Sequence, residues 1–257
     1  MAVDNTTNLS QVGKAIQNYI SGLTLSTAGA TATFGIAVGV AMDSTNAALM
    51  TLASAYTKTT SAWALGTAAG ALDTGAIANS TWYHVWLIQR SDTSVVDVLV
   101  SLSVSAPTMP TNYDRKRRIG SMKTNGSAQW TKFVQLGDEF IWDVGVQDQT
   151  NSSGTAAFNL TLTVPTGVSV KASVTGYFNT SAASDYALIS SPLATNVNNT
   201  PSGNVTVITQ VASAGIAFQA SALTNTSAQI KVASSVITPG NFLIITTGWA
   251  DDRGSNG

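Results

Sequence analysis

The chain has 257 residues, 12 Lys plus Arg against 13 Asp plus Glu, one His and no Cys. With a net charge of -1, only 10% of residues charged and 64 Ser plus Thr, it lacks the excess positive charge of a nucleic-acid binder. The missing Cys and single His exclude a disulfide framework, a thiolate metal site, a Cys nucleophile and the usual His-rich metal centres. At 44% hydrophobic residues there is enough apolar surface for a packed core. The composition points to a neutral β protein of structural or binding type, with no cofactor.

The N-terminus, Met1 to Ser10, has no basic region followed by an apolar core, so no signal peptide is expected. Val12, Ile16, Tyr19 and Ile20 recur at i, i+4, i+7 and i+8 and predict a short amphipathic helix capped by Asn8 or Ser10. Such a stripe docks on its own domain or on a neighbouring subunit. From Leu23 onward the pattern is β. A strand is expected over Thr31 to Met42. Phe34 to Met42, the most apolar stretch, is too short to span a bilayer. Thr81 to Arg90 is dense in aromatic and β-branched residues and carries the strongest strand signal. With Val95 to Ser101, across the turn-forming Ser91-Asp92-Thr93-Ser94, it predicts an antiparallel hairpin. Arg117 to Lys123, Trp130 to Leu136 and Glu139 to Val144 read as three more strands. Asn125-Gly126 marks the turn between the first two.

Charge density changes near residue 148. Residues 149 to 250 carry only Lys171, Asp185 and Lys231, so 22 of the 25 charges lie elsewhere. About seven short strands with alternating patterns, Phe158-Leu160-Leu162-Val164 among them, predict a β-sandwich or jelly roll here. The expected organisation is mainly β. A helical attachment segment spans 1–20, a β module 21–147 and a β-sandwich 148–257, with the boundary inside 147–154.

Few residues carry chemistry. His84 sits mid-strand and reads first as a packed residue, although Asp92 or Asp97 on the next strand lies within reach of a Ser-His-Asp arrangement. Asp138, Glu139 and Asp143 form an acidic cluster beside Trp142. Paired carboxylates suit glycoside cleavage, but strand geometry puts Glu139 and Asp143 on a solvated face opposite Phe140 and Trp142. Arg115, Lys116, Arg117 and Arg118 form the one basic run, which would contact an anionic partner or lie as a solvated loop. Asp43-Ser44-Thr45-Asn46 and Leu72-Asp73-Thr74-Gly75 have the composition of Asx turns and lack EF-hand spacing.

One series of motifs is more specific. It comprises Ala41 to Asn46, Lys58, Trp63-Ala64-Leu65-Gly66-Thr67, Gly70, Leu72 to Gly75, Trp82 to Arg90, Asp97-Val98-Leu99, Pro107, Pro110 and Arg117 to Ser121. In this order they resemble a domain of tail-fibre-like and other virion proteins of tailed bacteriophages and prophages. The ending, Gly248 to Gly254, is similar too. The resemblance covers about residues 20 to 143 and brings no catalytic residues. It implies a non-enzymatic protein made in the bacterial cytoplasm and carried on the virion. Such a protein forms a homo-oligomer, for fibres a trimer, and contacts other virion proteins and a host-surface glycan, without nucleic acid or membrane insertion. A tail-fibre or receptor-binding role is expected first. A capsid decoration or head-fibre role is the alternative, and a glycan depolymerase stands third.

Overall fold

The structure is a computed structural model describing residues 17–151, 155–182, 185–194, 205–209, 215–236 and 241–255. It is mainly β, and no helix occurs among the described residues. Two compact units emerge: Met1–Gly137 with Asp252–Gly257, and Asp138–Asp251. The division falls about ten residues before the expected linker. The strand Glu139–Gln149 runs straight through the point where charge density drops, so that drop marks no boundary.

The first unit contains β1 (Ile20–Gly22), β2 (Leu25–Ser26), β3 (Thr33–Ile36), β4 (Gly39–Met42), β5 (Leu49–Leu52), β6 (Tyr56–Ala62), β7 (Gly70–Leu72), β8 (Trp82–Gln89), β9 (Val96–Ser101), β10 (Arg115–Lys123) and β11 (Phe133–Leu136). One sheet has the order β1-β4-β5. Another runs β10-β8-β9-β7-β6-β3-β2. Most pairs are antiparallel, but the short β7 lies parallel to both β6 and β9. The predicted hairpin forms from β8 and β9, with Ile88 opposite Asp97. β8 is buried from Tyr83 to Gln89 on both faces, which its unbroken aromatic and aliphatic run requires. Phe34 and Tyr83 each meet the Trp130 ring edge-on, with centroids 5.5 and 6.0 Å apart. All three side chains are fully buried.

Two expectations differ from the structure. The strand expected over Thr31 to Met42 is two strands, β3 and β4, in different sheets. Gly39 makes the switch possible. Its backbone lies against Ser21 and Leu23, where no Cβ fits. The expected N-terminal helix is not seen. Val12 and Ile16 lie outside the described residues. Tyr19 is exposed and follows a turn, and Ile20 opens β1 opposite Ala41. Hydrogen bonds hold this segment extended: Met42 N–H donates to the Tyr19 carbonyl at 2.8 Å, and Asn18 N–H to Asn46 Oδ1 at 2.6 Å. At Tyr19 and Ile20 these tertiary partners outweigh the helical spacing.

The second unit contains β12 (Glu139–Gln149), β13 (Phe158–Thr161), β14 (Lys171–Asn179), β15 (Tyr186–Ser190), β16 (Val205–Thr209), β17 (Ile216–Leu223), β18 (Gln229–Ser234) and β19 (Asn241–Ala250). Its strands are ordered β12-β19-β14-β17 and β13-β18-β15-β16, all antiparallel. Phe140 stacks on Trp249 with centroids 5.0 Å apart, and Trp142 tilts against the same ring. Phe178 and Phe218 both pack on Phe242. Among the described residues β13, β16 and β17 are edge strands, and they contain no charged residue and no Pro.

Candidate functional sites

The motif series meets at a buried ion pair in the first unit. Lys58 on β6 and Asp97 on β9 flank the short β7, and both side chains are fully buried with Nζ 2.9 Å from Oδ1. Nζ also donates to the carbonyls of Ala64, at 2.8 Å, and Gly66, at 3.0 Å. Asp97 accepts the Gly66 N–H on Oδ2 and the Val98 N–H on Oδ1. Each ammonium proton therefore has an acceptor, and the loop after β6 is tied to β9. Burial pulls the Lys58 pKa below its usual value, and Asp97 opposes that pull. Trp63 covers the pair, with Nζ 5.8 Å from its ring centroid. Lys58, Trp63 and Asp97 were legible as members of one series. Their convergence was not.

Beside the pair lies a cleft of about 520 Å³, walled by Trp63, Leu65, Val95 and Pro110 and rimmed by Arg90 and Asn112, with Tyr113 at its back. The Trp63 and Tyr113 rings meet at 74° with centroids 5.3 Å apart. Tyr113 belongs to a buried cluster with Trp86, Ile88 and Leu99. Burial first, and the Asp97 charge second, push its hydroxyl pKa up to about 12. Sequence reading missed this site because its walls come from three separate segments.

His84 is buried across from Ser121, with Nδ1 3.0 Å from the Ser121 hydroxyl. Arg118 Nη1 donates to the same hydroxyl at 3.3 Å. The carboxylates once within reach are engaged elsewhere: Asp97 with Lys58, and Asp92 with Arg90 through bonds of 2.9 and 2.6 Å. Asp43 forms the expected turn. Its carboxylate accepts the Thr45 hydroxyl and the N–H groups of Thr45, Ala47 and Ala48. Burial alone would raise its pKa, but these bonds outweigh it and hold the carboxyl below the ordinary value. Asp73 accepts the Thr108 N–H at 2.9 Å. Among the described residues no three His, Asp or Glu side chains are grouped to hold a metal.

The basic run is not a loop, because Arg115 to Arg118 lie on β10. Strand alternation separates them. Arg115 donates to Gln89 Oε1 at 3.1 Å, and Lys116 lies over the Trp86 ring at 5.6 Å. Arg117 is buried and donates to the Asn18 carbonyl at 3.1 Å. Burial, then the neighbouring Arg118, lowers its pKa. The four therefore do not form one cationic face.

In the second unit Glu139 and Asp143 are exposed on β12, with Phe140 and Trp142 buried opposite them, as strand alternation requires. Over β14, β17 and β19 lies an open groove of about 600 Å³. It is lined by Ser173, Thr175, Gln219, Ser221 and Thr247, with Thr206 of β16 at its side, and holds no charged side chain. A smaller depression of about 230 Å³ adjoins it through Ser173 and Thr247 and adds Glu139. No helix among the described residues is long and apolar enough to cross a membrane. No family model, no curated protein and no solved structure matches this chain.

Proposed function

We propose that the chain is a non-enzymatic structural protein of a bacteriophage virion, a tail-fibre or receptor-binding component that adheres to the host. The observation that carries the adhesion reading is the uncharged groove of hydroxyl and amide side chains over β14, β17 and β19. Such groups read sugars by hydrogen bonding without charge. The two sheets of the second unit are, in this reading, the faces of a β-sandwich. The motif series supports the virion part through its resemblance to virion-protein domains, and three of its members, Lys58, Gly66 and Asp97, are hydrogen-bonded together. The protein acts as a homotrimer on the virion, against other virion proteins and a host-surface glycan.

Gold labelling of Gly257 on negatively stained particles tests this. Label at the tail supports the reading. Label over the capsid replaces it with a decoration or head-fibre role, and no label on particles sinks both. Incubation with host polysaccharide is expected to release no new reducing ends. Their appearance would return Glu139 and Asp143 to consideration as a depolymerase pair.

A further inference from the structure

We infer that the Asn125-Gly126 turn of the first unit is a self-modifying site, at which the Asn125 amide is hydrolysed to a carboxylate in the folded protein. The inference is independent of the virion reading. It starts from a sequence pattern present once in each unit: Thr124-Asn125-Gly126-Ser127-Ala128-Gln129 and Thr224-Asn225-Thr226-Ser227-Ala228-Gln229. Both copies fold into the same turn. In each, the Asn N–H donates to the Gln carbonyl and the Ala N–H to the Asn carbonyl. Asn125 Oδ1 accepts the N–H groups of Ser127, at 2.8 Å, and Gln129, at 3.1 Å. Asn225 Oδ1 accepts those of Ser227 and Gln229, both at 3.0 Å. Ala128 and Ala228 take the left-handed conformation, with φ of 56° and 60°. Within the pattern one position differs, Gly126 against Thr226.

That position decides the chemistry. The backbone nitrogen of the residue after Asn loses its proton to solvent and attacks Asn Cγ. The N–Cγ bond forms, negative charge gathers on Oδ1, and the Cγ–Nδ2 bond breaks to release ammonia. Water then opens the cyclic imide to Asp or isoaspartate. In sum, one amide and one water become one carboxylate and one ammonium, and the chain gains a negative charge. At Asn125 the nucleophile is open to this attack. Gly126 is exposed, has no side chain, and its N–H meets no acceptor among the described residues. The two N–H groups on Oδ1 sit where the charge develops, as donors to an oxyanion do. At Asn225 the same two donors are present, but the β-branched Thr226 crowds the attacking nitrogen. The leaving nitrogen is also tied down, since Asn225 Nδ2 donates to Gln229 Oε1 at 3.0 Å. The second turn is thus an internal control for the first.

The products differ in fit. Oδ1 of Asn125 acts only as an acceptor, so Asp at this position keeps both bonds. Isoaspartate lengthens the main chain between the N–H bound to Gln129 and the carbonyl that accepts the Ser80 N–H at 2.8 Å, and so loosens the turn.

The test ages the full chain at mildly alkaline pH in heavy-oxygen water and maps its peptides by mass spectrometry. The other Asn-Gly pair in the sequence, Asn256-Gly257, falls in a different peptide. Asn125 should convert about tenfold faster than Asn225, with label incorporated. A Cβ at Gly126 meets nothing within 4 Å, and its φ is not left-handed. Gly126→Thr should therefore keep the wild-type Tm and slow conversion at Asn125 by about tenfold. Asn125→Asp should also keep that Tm and elute with the converted chain on anion exchange. The proposal is overturned if Asn125 converts no faster than Asn225, or if Gly126→Thr leaves its rate unchanged. Conversion that appears only in denaturant overturns it as well, since the site would then belong to the unfolded chain.

Discussion

At Lys58 one ammonium faces a carboxylate and two carbonyls in a fully buried setting. Removing either partner leaves the other charge stranded, which costs about 3–5 kcal/mol. Lys58→Met and Asp97→Ala should each lower the urea midpoint sharply. The double variant Lys58→Met/Asp97→Leu should recover much of that loss, since no charge stays unpaired. Asp43 gives a second test. Its folded-state pKa lies below 3.8, so its stabilising effect is full above that pH and fades as pH falls through the folded value. Asp43→Asn should flatten this acid-range dependence of the denaturation midpoint and leave its neutral and alkaline trend intact. Neither arrangement was equally visible in the sequence. The Asp43 turn is local and was read from four consecutive residues. The Lys58–Asp97 pair joins residues 39 apart in sequence through a parallel crossing, and periodicity carries no signal for that.

At the scale of elements, alternation and turn chemistry were the reliable guides. The β8–β9 hairpin and the two faces of β12 were legible, because each follows from neighbours a few residues apart. The split between β3 and β4 and the extended course of Tyr19 and Ile20 were not, because distant partners decide both. Glycines mark such places. A Cβ at Gly70 would overlap the carbonyl oxygens of Ala62 and Ser61 where β7 leaves β6. Gly70→Ala should therefore destabilise the first unit by about 1–3 kcal/mol, a cost typical of forced overpacking. Hydrogen exchange should quicken first in β6 and β7.

At the scale of the molecule, the near-zero net charge and a pI of about 5.6 leave copies little electrostatic reason to stay apart. A homotrimer of the 26.5 kDa chain should appear at about 80 kDa in light scattering coupled to size exclusion, insensitive to added salt. A monomer mass at micromolar concentration would count against the trimeric reading.

The uncharged edges β13, β16 and β17 carry a further consequence for handling. Natural sheets guard their rims with Lys, Pro or bulges that stop stray strands from adding. These rims have no charged or proline residue. Chains held at high concentration should drift into insoluble, cross-β-like deposits. Ala217 is exposed on β17. Ala217→Lys should delay that precipitation, measured as turbidity over time, and so act as a gatekeeper the native rim lacks.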